Sequence, residues 1–412
     1  MKVALIIEHF DPHRGGAEAM TVWLAGELAA RGHEVHVVCH DARPPNPRQA
    51  AHAGASYDAE RSRNSLPAAA AAPDGVVIHR LRGGRLSTGF GFRHFGRQAA
   101  AWCREHKPQV AHSMTIAWAG DVYHPHAGVY ASIQRQSVAM RDTPAKAQLK
   151  KLLLKLAGKQ RMLLKLERAA IESPARGGAK HIICISGLME QEFTQLYSVP
   201  PQRLIRLENP LMRPAPDATE MAEHRQWLRE IYGYQPDDRV ALFAGHDFRR
   251  KGLTWAIRAI GATQSQWKLL VVGLGRVRRF LELAQQLGVA ERVKFIGPTE
   301  HMNRMFAGSD ALLLPTFYES FGLVALESLA HGRPVISTNY LGCGELVRSS
   351  GAGMIVPTPR NVAEMALALD ALPTSGPELA RMQAAAMRAA ANSQPGPYLD
   401  KLEAIYQRVA RQ

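Results

Sequence analysis

The sequence predicts an α/β protein made of two doubly wound parallel-sheet units with a ligand cleft between them. Three observations predict it. The chain has 412 residues, long for one domain and comfortable for two. Short β-rich runs alternate with helical patterns in two successive series, which calls for parallel strands joined by right-handed crossovers. A proline-rich stretch without period, from Glu208-Asn209-Pro210 to Pro216, separates the two series. The expected division is therefore 1–208 and 209–392, followed by a terminal segment 393–412.

The first series opens with a buried-strand run, Val3 to Ile7. A helix follows over Ala17 to Ala30, with Met20, Trp23, Leu24 and Leu28 on one face. Gly32 ends it, and Val35 to Cys39 is the next strand. Residues 42–75, with their prolines and the Ala68 to Ala72 run, carry no period and predict a long surface loop. Strand signals return at Val76 to Arg80, Val110 to Ser113 and, more weakly, Val122 to Tyr123. Residues 141–170 interleave Lys146, Lys150, Lys151, Lys155, Lys159, Arg161, Lys165 and Arg168 with Leu149, Leu152, Leu153, Leu154, Leu156, Leu163, Leu164 and Leu166. That is a basic amphipathic helix, or two broken near Gly158, of the kind that lies on anionic bilayers; a helix packed on the sheet with a solvated basic face gives the same pattern. His181 to Ser186 and Leu204 to Leu207 complete the strands of this series, with a helix over Gly187 to Tyr197 between them.

The second series places strands at Val240 to Phe243, Leu269 to Val272, Val293 to Ile296, Ala311 to Leu314 and Pro334 to Ser337. Helical patterns start at Gly252, Val277, Met302 and Gly322. Pro397 to Val409 is a terminal amphipathic helix with Leu399, Leu402, Ile405 and Val409 as its stripe.

Composition narrows the function classes. The formal net charge of +15 favours anionic partners without choosing among nucleic acid, acidic lipid and phosphates. No helix-turn-helix, RNP or zinc-finger pattern accompanies it, so nucleic acid is not expected. Cys39, Cys103, Cys184 and Cys343 form no CxxC pair, which fits a reducing compartment. Met1 runs directly into a strand pattern, and no apolar stretch is long enough to span a bilayer. A cytoplasmic protein is expected, with membrane contact at most peripheral on the inner face.

Four blocks carry chemistry. In Pro315-Thr316-Phe317-Tyr318-Glu319-Ser320-Phe321-Gly322-Leu323-Val324-Ala325-Leu326-Glu327 a strand ends, a loop carries Glu319, and a helix starts near Gly322. Unpaired N–H groups at a helix start suit a diphosphate, and a glycine there allows close approach. Glu327, a turn further on, can accept both hydroxyls of a ribose. In Phe243-Ala244-Gly245-His246-Asp247-Phe248-Arg249-Arg250-Lys251-Gly252, cations precede a helix where a leaving diphosphate would gather charge. Arg14-Gly15-Gly16-Ala17-Glu18 joins the first strand and helix without being a Gly-x-Gly-x-x-Gly dinucleotide fingerprint. Gly120-Asp121-Val122-Tyr123-His124-Pro125-His126-Ala127-Gly128 gathers two histidines and a carboxylate, with no third residue at metal-ligand spacing.

Glu319-x7-Glu327 followed by Ala330-His331-Gly332-Arg333-Pro334-Val335-Ile336 resembles the signature of the GT4 retaining glycosyltransferases, which have the GT-B fold of two Rossmann-like domains. The resemblance covers nearly the whole chain and is strongest over 240–350. It implies that Glu319 contacts the donor sugar, that Glu327 holds the ribose, and that the amides of Gly322, Leu323 and Val324 hold the distal phosphate. Arg250 and Lys251 would grip the diphosphate, and Gly15 and Gly16 would sit over it. Val271-Val272-Gly273-Leu274-Gly275 and Val293-Lys294-Phe295-Ile296-Gly297-Pro298 resemble the family's nucleotide-side loops, which puts Gly273, Phe295 and Gly297 by the base. A histidine near the reacting sugar would be His126, with His124 the second choice, and Asp121 would serve as an acceptor-side or general-base residue. The resemblance also implies that the terminal helix returns to the first domain. No Asp-x-Asp motif stands near these blocks, so no metal and no cofactor is expected beyond the nucleotide-sugar co-substrate.

Within the family the chain is similar to the bacterial lipopolysaccharide-core glucosyltransferases. This implies transfer of a hexose, glucose first, from a nucleotide-diphosphate sugar, UDP first, to a glycolipid or lipopolysaccharide-core acceptor. It also implies an anionic membrane contact through 141–170. Ser320-Phe321, where relatives carry small residues, departs from the pattern and bears on which sugar is used. A nucleotide-sugar epimerase or hydrolase of the same fold, and a non-catalytic nucleic-acid binder, are the rival readings.

Overall fold

The computed structural model describes residues 1–12, 14–42, 73–81 and 86–411. Most of the loop expected over 42–75 thus lies outside the described residues. The chain divides into two compact units. One runs to Met212 and takes in the chain again from Pro395; the other spans Arg213 to Gln394.

The first unit is a seven-stranded sheet with every neighbouring pair parallel. Its strands are β1 (Lys2–His9), β2 (Glu34–Asp41), β3 (Val76–Arg80), β4 (Val110–Ser113), β5 (Val122–Tyr123), β6 (His181–Cys184) and β7 (Leu204–Arg206). Their order is β3-β2-β1-β4-β5-β6-β7. Successive side chains of β1 point to opposite faces. Val3, Leu5 and Ile7 pack with Met20, Leu24 and Leu28, while Ala4 and Ile6 pack with Phe95, Ala99 and Trp102. Both faces are covered, which is why β1 reads as a continuous apolar run and not as an alternation.

The terminal helix, Pro395–Ala410, belongs to this first unit. Leu399, Leu402, Ile405 and Val409 join the core under β1, and so do Tyr398 and Tyr406. Arg31 clamps the helix through Asp400 at 2.6 Å and Glu403 at 3.3 Å. The basic segment forms two helices, Pro144–Leu156 and Gly158–Ile171, separated at the extended residue Ala157. The second is pinned by Glu167, a fully buried carboxylate. It accepts the amide of Ala131 at 3.1 Å, at the start of the helix Tyr130–Ala139, and the hydroxyl of Tyr197. The first has no buried residue at all.

The second unit repeats the plan with six parallel strands: β8 (Val240–Ala244), β9 (Lys268–Val272), β10 (Val293–Gly297), β11 (Ala311–Leu314), β12 (Val335–Thr338) and β13 (Gly353–Val356). Their order is β10-β9-β8-β11-β12-β13. Each sheet reverses its winding direction once, between β1 and β4 and between β8 and β11. In open parallel sheets ligands bind beyond the strand carboxyl ends at such a switch point. Among the described residues no helix is long and apolar enough to cross a membrane.

Candidate functional site

At the switch point of the second unit, two loops are stitched together. The loop after β8 turns at Gly245 (φ 146°), and a Cβ there would lie 2.2 Å from Cδ of Lys251. The lysine stem therefore crosses the glycine backbone directly. Asp247 holds the next turn, accepting the Arg250 amide at 3.1 Å on its side chain and the Lys251 amide at 2.8 Å on its carbonyl. Phe248, buried against Phe243 and Phe280, anchors this turn to the core. Gly252 (φ 81°) then starts the helix Leu253–Ala262, where a Cβ would meet the Pro315 carbonyl at 1.8 Å. From the other side, the Phe317 amide donates to the Arg250 carbonyl at 2.8 Å.

This stitching brings Arg250, Lys251 and Glu319 together. Lys251 Nζ lies 2.7 Å from Glu319 Oε2, and Arg250 Nη1 lies 3.5 Å from the same oxygen and 2.6 Å from the Tyr318 carbonyl. Burial pushes the Glu319 carboxyl up, but Lys251 and then Arg250 outweigh it, and the net shift is downward. Glu319 is thus ionised at neutral pH, and the three side chains together carry one excess positive charge. Its backbone is fixed by a bridge to Leu341.

Gly322 (φ 98°) caps the helix Leu323–Ala330, so Gly322, Leu323 and Val324 present their amides at the positive end of a helix dipole. One turn on, Glu327 is half-buried and its carboxylate makes no hydrogen bond among the described residues. Burial pushes it up to about 7, with Arg213 and Lys251 pulling the other way. Gly245, Gly273 and Gly297 are chained across the carboxyl ends of β8, β9 and β10: the Gly245 amide donates to Val272, and the Gly273 amide to Gly297 at 2.9 Å. Phe295 is half-buried in β10, the edge strand.

The first unit carries different chemistry at its own switch point. Glu8, near the end of β1, accepts a hydrogen bond from Thr115, just past β4. Burial raises its carboxyl to about 7, with the Thr115 bond lowering it. The motifs did not single out Glu8, although a carboxylate at the end of the first strand of a doubly wound sheet is a signal that could have found it. Gly15 and Gly16 open the helix Gly16–Ala30; a Cβ on Gly15 would lie 2.9 Å from a Glu18 carboxylate oxygen. His124 and His126 follow β5 as buried rings, tilted by 40° with centroids 4.0 Å apart.

Asp121 is not brought to this place. It precedes β5 and uses its carboxylate to accept the Ala111 amide at 2.9 Å and to pair with Lys180 at 3.4 Å. These contacts fix the start of a two-residue strand.

Two doubly wound parallel-sheet units, one with a glycine-lined, cation-bearing switch point that ends in a helix start, define the GT-B fold class. Residues 14–211 match the family described as Glycosyltransferase Family 4, and residues 225–389 match Glycosyl transferases group 1. Together the two matches account for most of the chain, which carries a family 4 and a group 1 glycosyltransferase domain. The lipopolysaccharide glucosyltransferase WaaG of Escherichia coli (strain K12) is 27% identical over 217 residues, 52% of this chain and 57% of that protein. The chain thus spans little more than half the length of this curated relative. A crystal structure of WaaG superposes with a TM-score of 0.72 at 21% identity, covering 99% of this chain and 98% of that one. Anabaena HepE, crystallised with UDP and glucose, gives a TM-score of 0.67 at 17% identity over 100% and 98%. These two likenesses show the fold.

Proposed function

We propose that the protein is a retaining, metal-independent glycosyltransferase. It moves a hexose, glucose first, from a UDP-sugar to a glycolipid acceptor of the lipopolysaccharide-core type, at the inner face of an anionic membrane. The observation that carries this reading is the convergence of Arg250 and Lys251 on Glu319 beside the helix start at Gly322. When the glycosidic bond to the diphosphate breaks, negative charge grows on the leaving phosphate oxygens. Two cations and a set of aligned amides preorganised at that point lower the barrier without reorganising. Glu319, held ionised between the cations, accepts hydroxyl hydrogen bonds from the sugar and orients it. Glu327, with no donor of its own among the described residues, accepts both ribose hydroxyls. The departing phosphate oxygen takes the acceptor proton on the face from which it leaves, so the configuration is retained and no protein nucleophile is needed. On this reading His126, neutral in its buried position, bonds a sugar hydroxyl. The name of the WaaG relative and the UDP and glucose bound to HepE support the donor and the acceptor class.

The membrane arm rests on the helix Pro144–Leu156. Leu149, Leu152, Leu153 and Leu156, spaced to share one face, are between 52% and 66% exposed on a helix that buries nothing. Lysines interleave with them, each worth about 1 kcal/mol near an anionic surface.

The test is transfer from UDP-glucose to a core-type glycolipid, with EDTA present, followed by NMR of the product anomer. The reading expects an α-linked product from the α-linked donor, undiminished by EDTA and stimulated by phosphatidylglycerol vesicles more than by phosphatidylcholine ones. An inverted product, a divalent-ion requirement, or consumption of donor at the same rate without acceptor would each overturn the matching part.

A further inference from the structure

The histidines after β5 are not isolated. Behind His126 lies the ring of His124, and His124 Nδ1 is 3.0 Å from His112 Nε2 on β4. The two rings are within 10° of parallel with centroids 5.1 Å apart. For a 3.0 Å nitrogen contact that is close to the largest separation available, so the rings lie edge to edge, as an in-plane hydrogen bond requires. His112 Nδ1 in turn is 2.5 Å from the hydroxyl of Tyr406. Tyr406 comes from the terminal helix, 294 positions further along the chain. His112, His124 and Tyr406 are fully buried, and His126 nearly so.

Burial pushes His112 and His126 down to about 3 and His124 well below its usual value, while it raises the Tyr406 hydroxyl. All four groups are therefore neutral at physiological pH, and each imidazole has one N–H and one lone pair. That makes the chain directional. Among the described residues the Tyr406 hydroxyl has no other hydrogen-bond partner. If it accepted from His112, its own proton would be buried without an acceptor, and a buried orphan donor carries its full desolvation cost. It therefore donates to His112 Nδ1. His112 then carries its proton on Nε2 and donates to His124 Nδ1, and His124 carries its proton on Nε2. That last N–H has no hydrogen-bond acceptor among the described residues; the neighbouring ring is His126. The reverse chain would orphan both the tyrosine proton and the His124 lone pair.

We propose that Tyr406 is a positioning residue: through His112 and His124 it locks one tautomer and one ring orientation behind His126, so the last helix of the chain sets the histidine that meets the sugar. This rests on the transferase reading for the role of His126, but the relay itself does not. The terminal helix is held to its unit by Arg31 and by the core under β1, and the relay makes that docking a condition for a correctly presented imidazole. An apolar residue at 406 would pack equally well and leave the His112 tautomer undetermined.

The experiment uses the full chain labelled with ¹⁵N-histidine, in wild-type and Tyr406→Phe forms. Long-range ¹⁵N–¹H correlation reads which nitrogen of each ring is protonated, and steady-state kinetics with UDP-glucose are run on the same samples. The relay predicts His112 and His124 both protonated at Nε2 in the wild type. In Tyr406→Phe it predicts mixed tautomers at both rings and a fall in kcat of about tenfold with KM for the donor unchanged. A merely structural tyrosine would lower stability without moving the tautomers. Nδ1 protonation of His112 in the wild type, or wild-type tautomers and kcat in Tyr406→Phe, would overturn the proposal. The predicted tautomers in a wild type that transfers no sugar would count against the transferase reading and not against the relay.

Discussion

The two units share a sheet plan and a switch point, yet they settle their buried charges in opposite ways. In the second unit pairing outweighs burial: Glu319 is held ionised by Lys251 and Arg250. In the first, burial outweighs pairing: Glu8 is pushed up to about 7, and the buried His112, His124 and His126 are neutral. The same backbone thus supplies one switch point with a net positive, ion-paired cluster and another with neutral buried groups; on the proposed reading the first takes the diphosphate and the second sugar hydroxyls. The difference lies in a few loop residues. The loop after β8 delivers two cations, whereas the loop after β4 delivers Thr115 to the Glu8 carboxylate.

The contrast can be broken by substitution. The largest effect is expected from Lys251→Met, which keeps the stem over Gly245 and removes the cation nearest Glu319. Turnover of UDP-glucose should fall by about 10²–10³, the usual size for losing one preorganised charge partner of a leaving group; a change below fivefold would remove Lys251 from the site.

A smaller effect is expected at Glu327. Burial pushes its carboxyl up to about 7, and on the proposed reading only the ionised form accepts both ribose hydroxyls. UDP affinity should therefore rise severalfold between pH 6 and pH 8, and titration calorimetry on Glu327→Gln should show that rise abolished. A flat profile in the wild type would contradict this assignment.

The smallest effect sharpens the contrast from the first unit. Because the folded Glu8 carboxyl sits above its ordinary value, the folded state binds the proton more tightly than the unfolded one. Its effect on stability is therefore neutral below the ordinary carboxylate range and becomes destabilising as pH rises to about 7. Glu8→Gln should raise the melting temperature by a few degrees at pH 8 and leave it nearly unchanged at pH 4. For Glu319, whose value is lowered, the sign reverses and stability is lost as pH falls. Equal shifts at both pH values would show that the Glu8 charge does not matter.

How much could be read beforehand depended on how local the information was. Arg250, Lys251, Glu319, Gly322 and Glu327 lie in two contiguous blocks, so strand end, turn glycine, cations and helix start each appear within about a dozen residues. Glu8 acquires meaning only from the adjacency of β1 and β4, and Tyr406 only from a contact across 294 positions; neither distance is visible in a local pattern. The helix Gly89–His106 went unread because Gly89, Gly91 and Gly96 look like turn residues. Gly96 is there for space, since a Cβ would lie 2.1 Å from the Ala117 carbonyl. The edge strand β13 was missed for a similar reason: it begins at Gly353 (φ 143°), packed against Val335 of β12. In the terminal helix the aliphatic stripe was legible, while the two tyrosines beside it were not assigned.

The most direct test of the division of labour is calorimetric titration of UDP into the wild type, Lys251→Met and Glu8→Gln under identical salt. Tight binding in the wild type and in Glu8→Gln, with at least a tenfold loss in Lys251→Met, is the predicted result; the estimate follows from losing one charge-assisted contact to phosphate. Equal losses in both variants, or none in Lys251→Met, would contradict the assignment of the diphosphate to the switch point of the second unit.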